Sequence, residues 1–408
     1  MEPIAHLRLV EKSEPPEYDE QTLKAHNENS GKYAAEALRC IGLDKIGSFC
    51  GNIHDLGKAT KKFFDYIQPG NTLRRGEVNH TFAAVRYIFE MSDGVDNEVR
   101  ELLAYAVGAH HGQFDAVNDD HKNGFEHRLT KDGIDYDEAK KNFNKYCFSD
   151  AELKSQFNSA AEQLTEIIEG IRERNPKRSA RQAEEYEFQI SLLARLLLSA
   201  VIEGDRRDTA EFMENMEFPQ VEADWDECLG HIEEKLGKFS NTRPIDGARK
   251  QISGICRAAA EEEPGIFRLN VPTGAGKTLS GLRFAVAHAK THRKKRIIFT
   301  SPLLSILDQN AKIIREFIGN DSIITEHHSN VALDEDNADE LKRAQLLTEN
   351  WSSPVIITTL VQLLDTLFAG KTSCIRRMHA LCDSVIVIDE VQTVPNEMLS
   401  LFNTAVKL

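Results

Sequence analysis

The sequence predicts a multi-domain protein: an all-α domain over residues 1–240, then an α/β domain over residues 241–408 built on a mostly parallel sheet. Three observations predict this. The chain has 408 residues, and domains run at roughly 100–200 residues each. Helical spacing dominates before Asn241, whereas short β-branched runs alternate with helical stretches after it. The charge changes at the same place: from Asn241 onward 20 Lys+Arg face 19 Asp+Glu, so the first 240 residues hold a net −16 of the chain's −15. Nine of the 14 histidines also lie in front.

The elements follow in order. Residues 22–49 have helical spacing, with polar breaks near Gly31 and Gly42. GNIHDLGKATKKFFDYI at 51–67 reads as a turn entering an amphipathic helix. Residues 80–91 and 98–109 are two more helices. The segment 112–150 is charged, and reads as a surface insertion around a short helix near Asp137–Tyr146. Residues 151–172 are helical, and Arg172 to Arg181 is a basic loop holding Pro176. Residues 186–202 are too uniformly apolar for a surface helix. A charged helix over 223–237 precedes the connector Asn241-Thr-Arg-Pro244. Beyond it, Phe267–Val271, Arg296–Thr300, Val355–Thr359 and Ser384–Ile388 read as strands. Helices fill 277–290 and 305–318. No β pattern of comparable strength precedes Asn241.

Composition bounds the function. A net charge of −15 excludes a generally basic nucleic-acid coat, but leaves room for a local basic groove on an acidic body. The seven cysteines contain no CxxC pair, so neither a disulfide framework nor a zinc knuckle is expected. No apolar run approaches the ~20 residues that span a bilayer. The polar, acidic N-terminus is not a signal peptide. A cytoplasmic protein with no membrane partner is the expectation.

Pro272-Thr-Gly-Ala-Gly-Lys-Thr278 lies between an expected strand and a helix. It lacks the first glycine of GxxxxGK[ST], but the physics is unchanged. Gly274 and Gly276 let backbone amides face phosphates, and the helix start adds its dipole. Lys277 would reach the β/γ phosphates and Thr278 a Mg²⁺ ion. About 110 residues on, Val385-Ile-Val-Ile-Asp389-Glu390 is an apolar strand ending in two carboxylates. Asp389 suits a Mg²⁺ ligand, and Glu390 a group polarising the attacking water.

In front, His54-Asp55 sits in NIHDLGK, where Gly57 permits a tight turn and Lys58 suits a phosphate or leaving oxygen. His26 precedes; His80, His110 and His111 follow; Asp205 closes an apolar helix. Each histidine alone reads as an ordinary hydrogen-bonded imidazole. The ordered set on a helical domain points to a metal site, and imidazole with carboxylate suits Mn, Fe, Ni, Co or Zn better than Ca. A carboxylate ending an apolar helix asks for a cation.

NVPTGAGKT at 270–278 and VIVIDEVQ at 385–392 resemble motifs I and II of superfamily 2 helicases. Thr300-Ser-Pro302 and Thr358-Thr-Leu-Val-Gln362 resemble later segments that grip one nucleic-acid strand. The resemblance implies a RecA-like lobe binding ATP and Mg²⁺, with Ser301, Thr358 and Thr359 as strand contacts. HxxN at 26–29, HDLGK at 54–58, AHHG at 109–112 and EGDRRDT at 203–209 resemble the HD-domain metal phosphohydrolases. With a helicase behind them, the order resembles the CRISPR-associated nuclease-helicases of type I systems. One departure is Gly204, where alanine is frequent in that pattern.

The resemblance implies metal-dependent endonucleolytic hydrolysis of single-stranded DNA, with Asp55, Lys58 and Glu390 as catalytic groups. His26, His54, Asp55 and Asp205 would hold one divalent transition metal (Mn, Fe, Ni or Co). Asp55 would bridge to a second, held by His80, His110 and His111. Glu203 is left as a structural or supporting group. The implied partners are single-stranded DNA, an RNA-guided surveillance complex and, as an open possibility, a phage inhibitor protein. Lys58/Lys61/Lys62, Arg74/Arg75 and Arg172–Arg181 are candidates for the strand path. The sequence stops about 18 residues after Glu390, so a second motor lobe is not expected, nor is much unwinding. Two alternatives stay open: an HD nucleotide phosphohydrolase with a regulatory P-loop domain, and a non-catalytic DNA-binding module.

Overall fold

The computed structural model describes residues 2–407 except 11, 12, 14, 74–77, 79, 115–123, 130–134, 177–178, 241 and 329–346. Arg74, Arg75, Lys177 and Arg178 of the basic patches, and the connector's Asn241, thus lie outside the described residues.

Two compact units emerge. The first comprises Met1–Phe218 with Ala369–His379 and Ser400–Leu408; the second comprises Pro219–Phe368 and Ala380–Leu399. The first is predominantly helical, matching the sequence expectation with one difference. Strand β1 (Ile4–Leu9) pairs antiparallel with β2 (Tyr18–Thr22). Neither strand alternates cleanly between buried and exposed positions, so the period-2 signal that marks a half-buried strand is missing.

Thr22 ends β2 and caps α1 (Leu23–Leu38), its hydroxyl accepting from the Ala25 amide at 3.2 Å. Helix α2 (Asp44–Ile53) follows, then α3 (Lys61–Ile67), α4 (Thr81–Met91) and α5 (Asn97–Gly108). After α6 (Gly124–Leu129) and α7 (Tyr136–Tyr146) comes α8 (Asp150–Arg174), which opens on a Ser149/Glu152 capping box. Helix α9 (Ala180–Glu214) is twice the expected length. Its apolar middle, Leu192 to Ile202, is the part the sequence signals. Its ends are rich in charged residues, so they continue the helix without an apolar stripe. The core of this unit gathers Leu38, Ile46, Phe49, Ile53, Leu103, Phe157 and Leu197, drawn from α1, α2, α5, α8 and α9.

The second unit carries a parallel sheet in the order β4-β5-β3-β6: β3 (Arg296–Ser301), β4 (Ile324–His327), β5 (Val355–Thr359) and β6 (Ser384–Ile388). Parallel strands linked through helices bury both faces; α10 (Trp225–Gly237), α11 (Pro244–Ala259), α12 (Lys277–Thr291) and α13 (Leu304–Ile318) supply the cover. The strand expected at Phe267–Val271 does not form. The segment alternates apolar and polar residues, but Phe267 and Leu269 stay exposed and pack no face against the sheet, so it stays outside the ladder.

Helix α10 packs Cys228, Leu229 and Ile232 into the core of the second unit. That unit therefore starts at Pro219, upstream of the charge change near 240. Charge reports a helix's exposed face, whereas membership of a core follows its buried one. Among the described residues no helix is long and apolar enough to cross a membrane.

Candidate metal centre and nucleotide site

The first unit brings the front-half candidates together. His26 lies on α1, His54 closes α2, and Asp55 and Lys58 flank the 3-10 turn Leu56–Lys58. His80 caps α4, and His110 and His111 follow α5. Asp205 projects from α9. Two glycines set the spacing. A Cβ on Gly204 would lie 2.3 Å from the Ser30 carbonyl oxygen, so only glycine lets α9 approach α1 this closely and bring Asp205 to His26. The frequent alanine of the resembled pattern would not fit. At Gly57 a Cβ would lie 2.0 Å from the His80 carbonyl oxygen. Close approach, rather than the tight turn expected from sequence, is what requires glycine there.

One potential ligand atom from each of His26, His54, Asp55 and Asp205 falls in a group with all separations within 4.8 Å, and Asp55, His110 and His111 form a second such group. Asp55 Oδ2 lies 3.3 Å from both His26 Nε2 and His54 Nε2, while Oδ1 lies 3.7 Å from His110 Nε2. Asp205 Oδ1 is 3.5 Å from His26 Nε2 and 3.7 Å from His54 Nε2. His111 Nε2 meets His80 Nε2 at 3.0 Å and His110 Nε2 at 3.1 Å. The two oxygens of Asp55 thus face two different clusters of imidazole nitrogens.

These residues fit metal ions on three counts. First, His54 Nδ1 faces the Gly51 carbonyl at 2.8 Å, His110 Nδ1 that of Val107 at 2.6 Å, and His80 Nδ1 that of Val78 at 3.2 Å. A carbonyl only accepts, so each Nδ1 carries the proton and each Nε2 offers a lone pair to the centre. Second, His26 Nε2, His54 Nε2 and Asp55 Oδ1 are buried without hydrogen-bond partners, while Asp55 Oδ2 is met by the Lys58 ammonium. Buried polar atoms seldom go unsatisfied in a native fold. Third, the electrostatics call for cations. Burial opposes protonation of His26, but the surrounding carboxylates of Asp205, Asp208 and Asp55 prevail and raise its pKa to about 10. Burial likewise opposes protonation of His54, and Asp55 and Asp205 raise its pKa to about 9. Asp55 is held well below the usual carboxylate range: burial resists, but Lys58 and the surrounding imidazoles prevail. Asp205 is held low against burial by His26 and His54. Burial lowers the pKa of His80, and lowers that of His111, with help from His110, to about 3. Buried carboxylates remain ionised here because cations surround them, and a divalent ion would take the place of protons.

Lys58 is buried, with its ammonium 2.6 Å from Asp55 Oδ2. Glu203 is also buried and accepts a 2.7 Å hydrogen bond from Arg376 Nε. Two residues of this centre carry no reading from the sequence. Asp208 Oδ2 lies 2.5 Å from His26 Nδ1. His6, from the unforeseen β1, packs edge-on against His26 at 4.8 Å between ring centres and meets the Thr209 hydroxyl at 3.2 Å. Burial, Lys58 and His26 drive the His6 pKa down to about 2. The sequence signal for Asp208 was present: two aspartates three apart, one helical turn, in EGDRRDT.

In the second unit Gly274 and Gly276 adopt φ of +80° and +86°, the left-handed region that glycine enters freely. Gly276 opens α12 directly before Lys277. Lys277 Nζ lies 3.5 Å from Glu390 Oε1. The Thr278 hydroxyl donates to Asn310 Oδ1 at 3.2 Å, and Arg249 donates to the Gly274 carbonyl at 2.6 and 2.9 Å. Neither Asn310 nor Arg249 was foreseen. Asp389 follows β6, its amide on the Thr300 carbonyl at 3.0 Å. Glu390 adopts φ +51°, a conformation uncommon outside glycine and frequent at functional sites.

Two of the three expected strand contacts are engaged within the unit. Thr358 is buried, its hydroxyl on the His327 carbonyl at 2.7 Å, and Thr359 accepts from the Gln362 amide at the start of helix Leu360–Phe368. Ser301 is buried with its hydroxyl unpartnered.

Comparison with known proteins agrees with both units. Residues 22–202 match the family model described as Cas3, HD domain, and residues 256–403 match DEAD/DEAH box helicase. The chain is 23% identical to the CRISPR-associated nuclease/helicase Cas3 of Haloferax volcanii, covering 92% of this chain and 45% of that protein. It shares the fold of the crystal structures of T. fusca Cas3-ADP and Cas3-ATP, with TM-scores of 0.53 and 0.51 at 18% identity. Each comparison covers 98% of this chain and 48% of the other. The chain thus spans about half the length of the relatives it matches. The front of the chain is thus similar to the Cas3 HD domain and the back to a DEAD/DEAH box helicase, in that order along the sequence.

Proposed function

We propose that the buried histidine–aspartate centre is a two-ion nuclease site acting on single-stranded DNA, served by an ATP-binding motor lobe in CRISPR interference. The observation that carries this reading is Asp55, whose two oxygens face separate groups of imidazole nitrogens. His26, His54, Asp55 and Asp205 would hold one ion; Asp55, His80, His110 and His111 would hold the other. Mn, Fe, Ni and Co suit this donor set. When bound, such ions supply Lewis acidity and neutralise charge developing on a phosphodiester.

The chain's own residues do the rest. Backbone carbonyls orient the imidazoles before any substrate arrives. Lys58, now facing Asp55, places a cation where it can meet a phosphate oxygen. His111, on the exposed side, marks the face open to the strand. In the motor lobe the amides around Gly274 and Gly276, with Lys277, would cradle the phosphates of ATP. Thr278 and Asp389 would hold Mg²⁺, and Glu390 would polarise water. Lys277 and Glu390 already pair, so phosphates would draw Lys277 from that partner. Ser301, Thr358 and Thr359 are the proposed strand-gripping positions. An RNA-guided surveillance complex, as its relatives' CRISPR names suggest, would deliver the displaced strand.

The test uses circular single-stranded DNA with Mn²⁺, Ni²⁺ or Co²⁺. Endonucleolytic nicking that disappears with EDTA and with Asp55→Ala is expected. Turnover of a free nucleotide without DNA cleavage would favour the nucleotide phosphohydrolase instead.

A further inference from the structure

The ligand histidines are not all held alike. His54, His80 and His110 each rest Nδ1 on a neutral backbone carbonyl. His26 rests Nδ1 on the carboxylate of Asp208, at 2.5 Å. Asp208 is buried, one helical turn beyond Asp205 on α9. Asp205 Oδ1 faces the other nitrogen of the same ring at 3.5 Å. One turn of α9 therefore grips His26 at both nitrogens. Asp208 is itself fixed: Gln21 Nε2 donates to Oδ2 at 2.8 Å and Asn29 Nδ2 to Oδ1 at 2.7 Å. Both donors are amides, so the carboxylate is held as an acceptor and turns toward His26 its capacity to receive Nδ1–H.

We propose that Asp208 is a positioning residue that fixes the tautomer and basicity of His26, and so sets the affinity of one ion site while leaving the other alone. This rests on the two-ion reading above. A carboxylate behind a ligating imidazole raises the ring's donor strength and locks its orientation, and its loss typically costs 10–100-fold in metal affinity. In the other cluster His80 and His110 rest on neutral backbone carbonyls and gain nothing from Asp208. The two sites thus differ in strength by construction, the His26 site being the tighter.

Calorimetric titration of the chelator-stripped full chain with Co²⁺, followed also by visible absorption, tests this. Wild type takes up two ions. Asp208→Asn keeps the shape and a neutral acceptor, and should weaken the tighter site about 10-fold; Asp208→Ala should weaken it by up to about 100-fold. The weaker site should stay within twofold of wild type in both. Asn29→Ala, which loosens only the hold on Asp208, should weaken the same site by a smaller factor and serves if the Asp208 variants do not fold. In a His26→Ala background, Asp208→Asn should change neither affinity further. Equal affinities in wild type and the Asp208 and Asn29 variants, or an undiminished effect of Asp208→Asn without His26, would overturn the proposal. Absence of ion uptake by wild type would overturn the two-ion reading itself, a distinct result.

Discussion

His54 and Asp55 are neighbours in sequence yet divide the labour of the centre. His54 offers one nitrogen to one group, while Asp55 faces two groups at once. His54→Ala should therefore lower the ion content to about one per chain, whereas Asp55→Ala should strip both sites. Elemental analysis of the purified variants checks this, and equal content in the two variants would sink the shared role of Asp55. Protonation at the same residues gives a pH signature in chelator-treated protein. His26 and His54 have folded pKa values raised to about 10 and about 9. Their contribution to stability is fully present below about pH 6.5 and fades as the pH climbs through about 9–10. Asp55 and Asp205, depressed, contribute above about pH 4 and lose that contribution only in stronger acid. A melting temperature that falls between pH 8 and pH 10 in EDTA, and falls less with Mn²⁺, is expected. A flat profile would contradict the ion-paired description. In the motor lobe, Lys277→Ala should abolish nucleotide binding, seen by calorimetry, and leave metal-dependent nicking intact.

At the scale of elements, α9 does the most. Its Gly204 permits the approach to α1, Asp205 faces the centre, and Glu203 pairs with Arg376 inside the first unit. Gly204→Ala forces a methyl onto the Ser30 carbonyl and should cost about 1–3 kcal/mol, with weaker ion binding. Gly230→Ala on α10, where a Cβ meets nothing within 4 Å, is the control. Equal melting temperatures for the two variants would refute the close-approach role. Much of this was legible in the sequence. The order of His26, His54-Asp55, His80, His110-His111 and Asp205 named the candidates because ligand types are few and the helical periodicity was strong. Asp208 went unread because a second carboxylate on a charged helix end looks like solvated surface. The hairpin of β1 and β2 leaves no sequence signal because neither strand alternates between buried and exposed positions. Phe267–Val271 misleads for a different reason: its apolar–polar alternation imitates a strand, yet Phe267 and Leu269 remain exposed and the sheet ends at β6.

On the whole-molecule scale, the helical unit is not a continuous stretch of chain. Ala369–His379, which lies in sequence between β5 and β6, belongs to it. There Arg376 Nε donates to Glu203, Arg206 donates to the Thr372 hydroxyl at 2.6 Å, and Arg195 donates to the Ala369 carbonyl at 2.5 Å. No sequence motif announces these contacts. They tie the helix bearing Asp205 to a segment that follows Thr358 and Thr359. Glu203→Ala, which takes the carboxylate from buried Arg376, should destabilise this unit by roughly 3–5 kcal/mol, read as a lowered melting temperature. A fragment ending at residue 240 lacks 369–379 altogether and should melt below the helical unit of the full chain; equal melting would show the segment to be dispensable. The net charge of −15 now reads as a solvated exterior around a small, buried, cation-seeking centre. Sharing of Asp55 between two ions is tested most directly by anomalous diffraction from crystals grown with Mn²⁺. Two peaks, one on each side of the Asp55 carboxylate, are predicted. A single peak, or peaks that do not share Asp55, would contradict it.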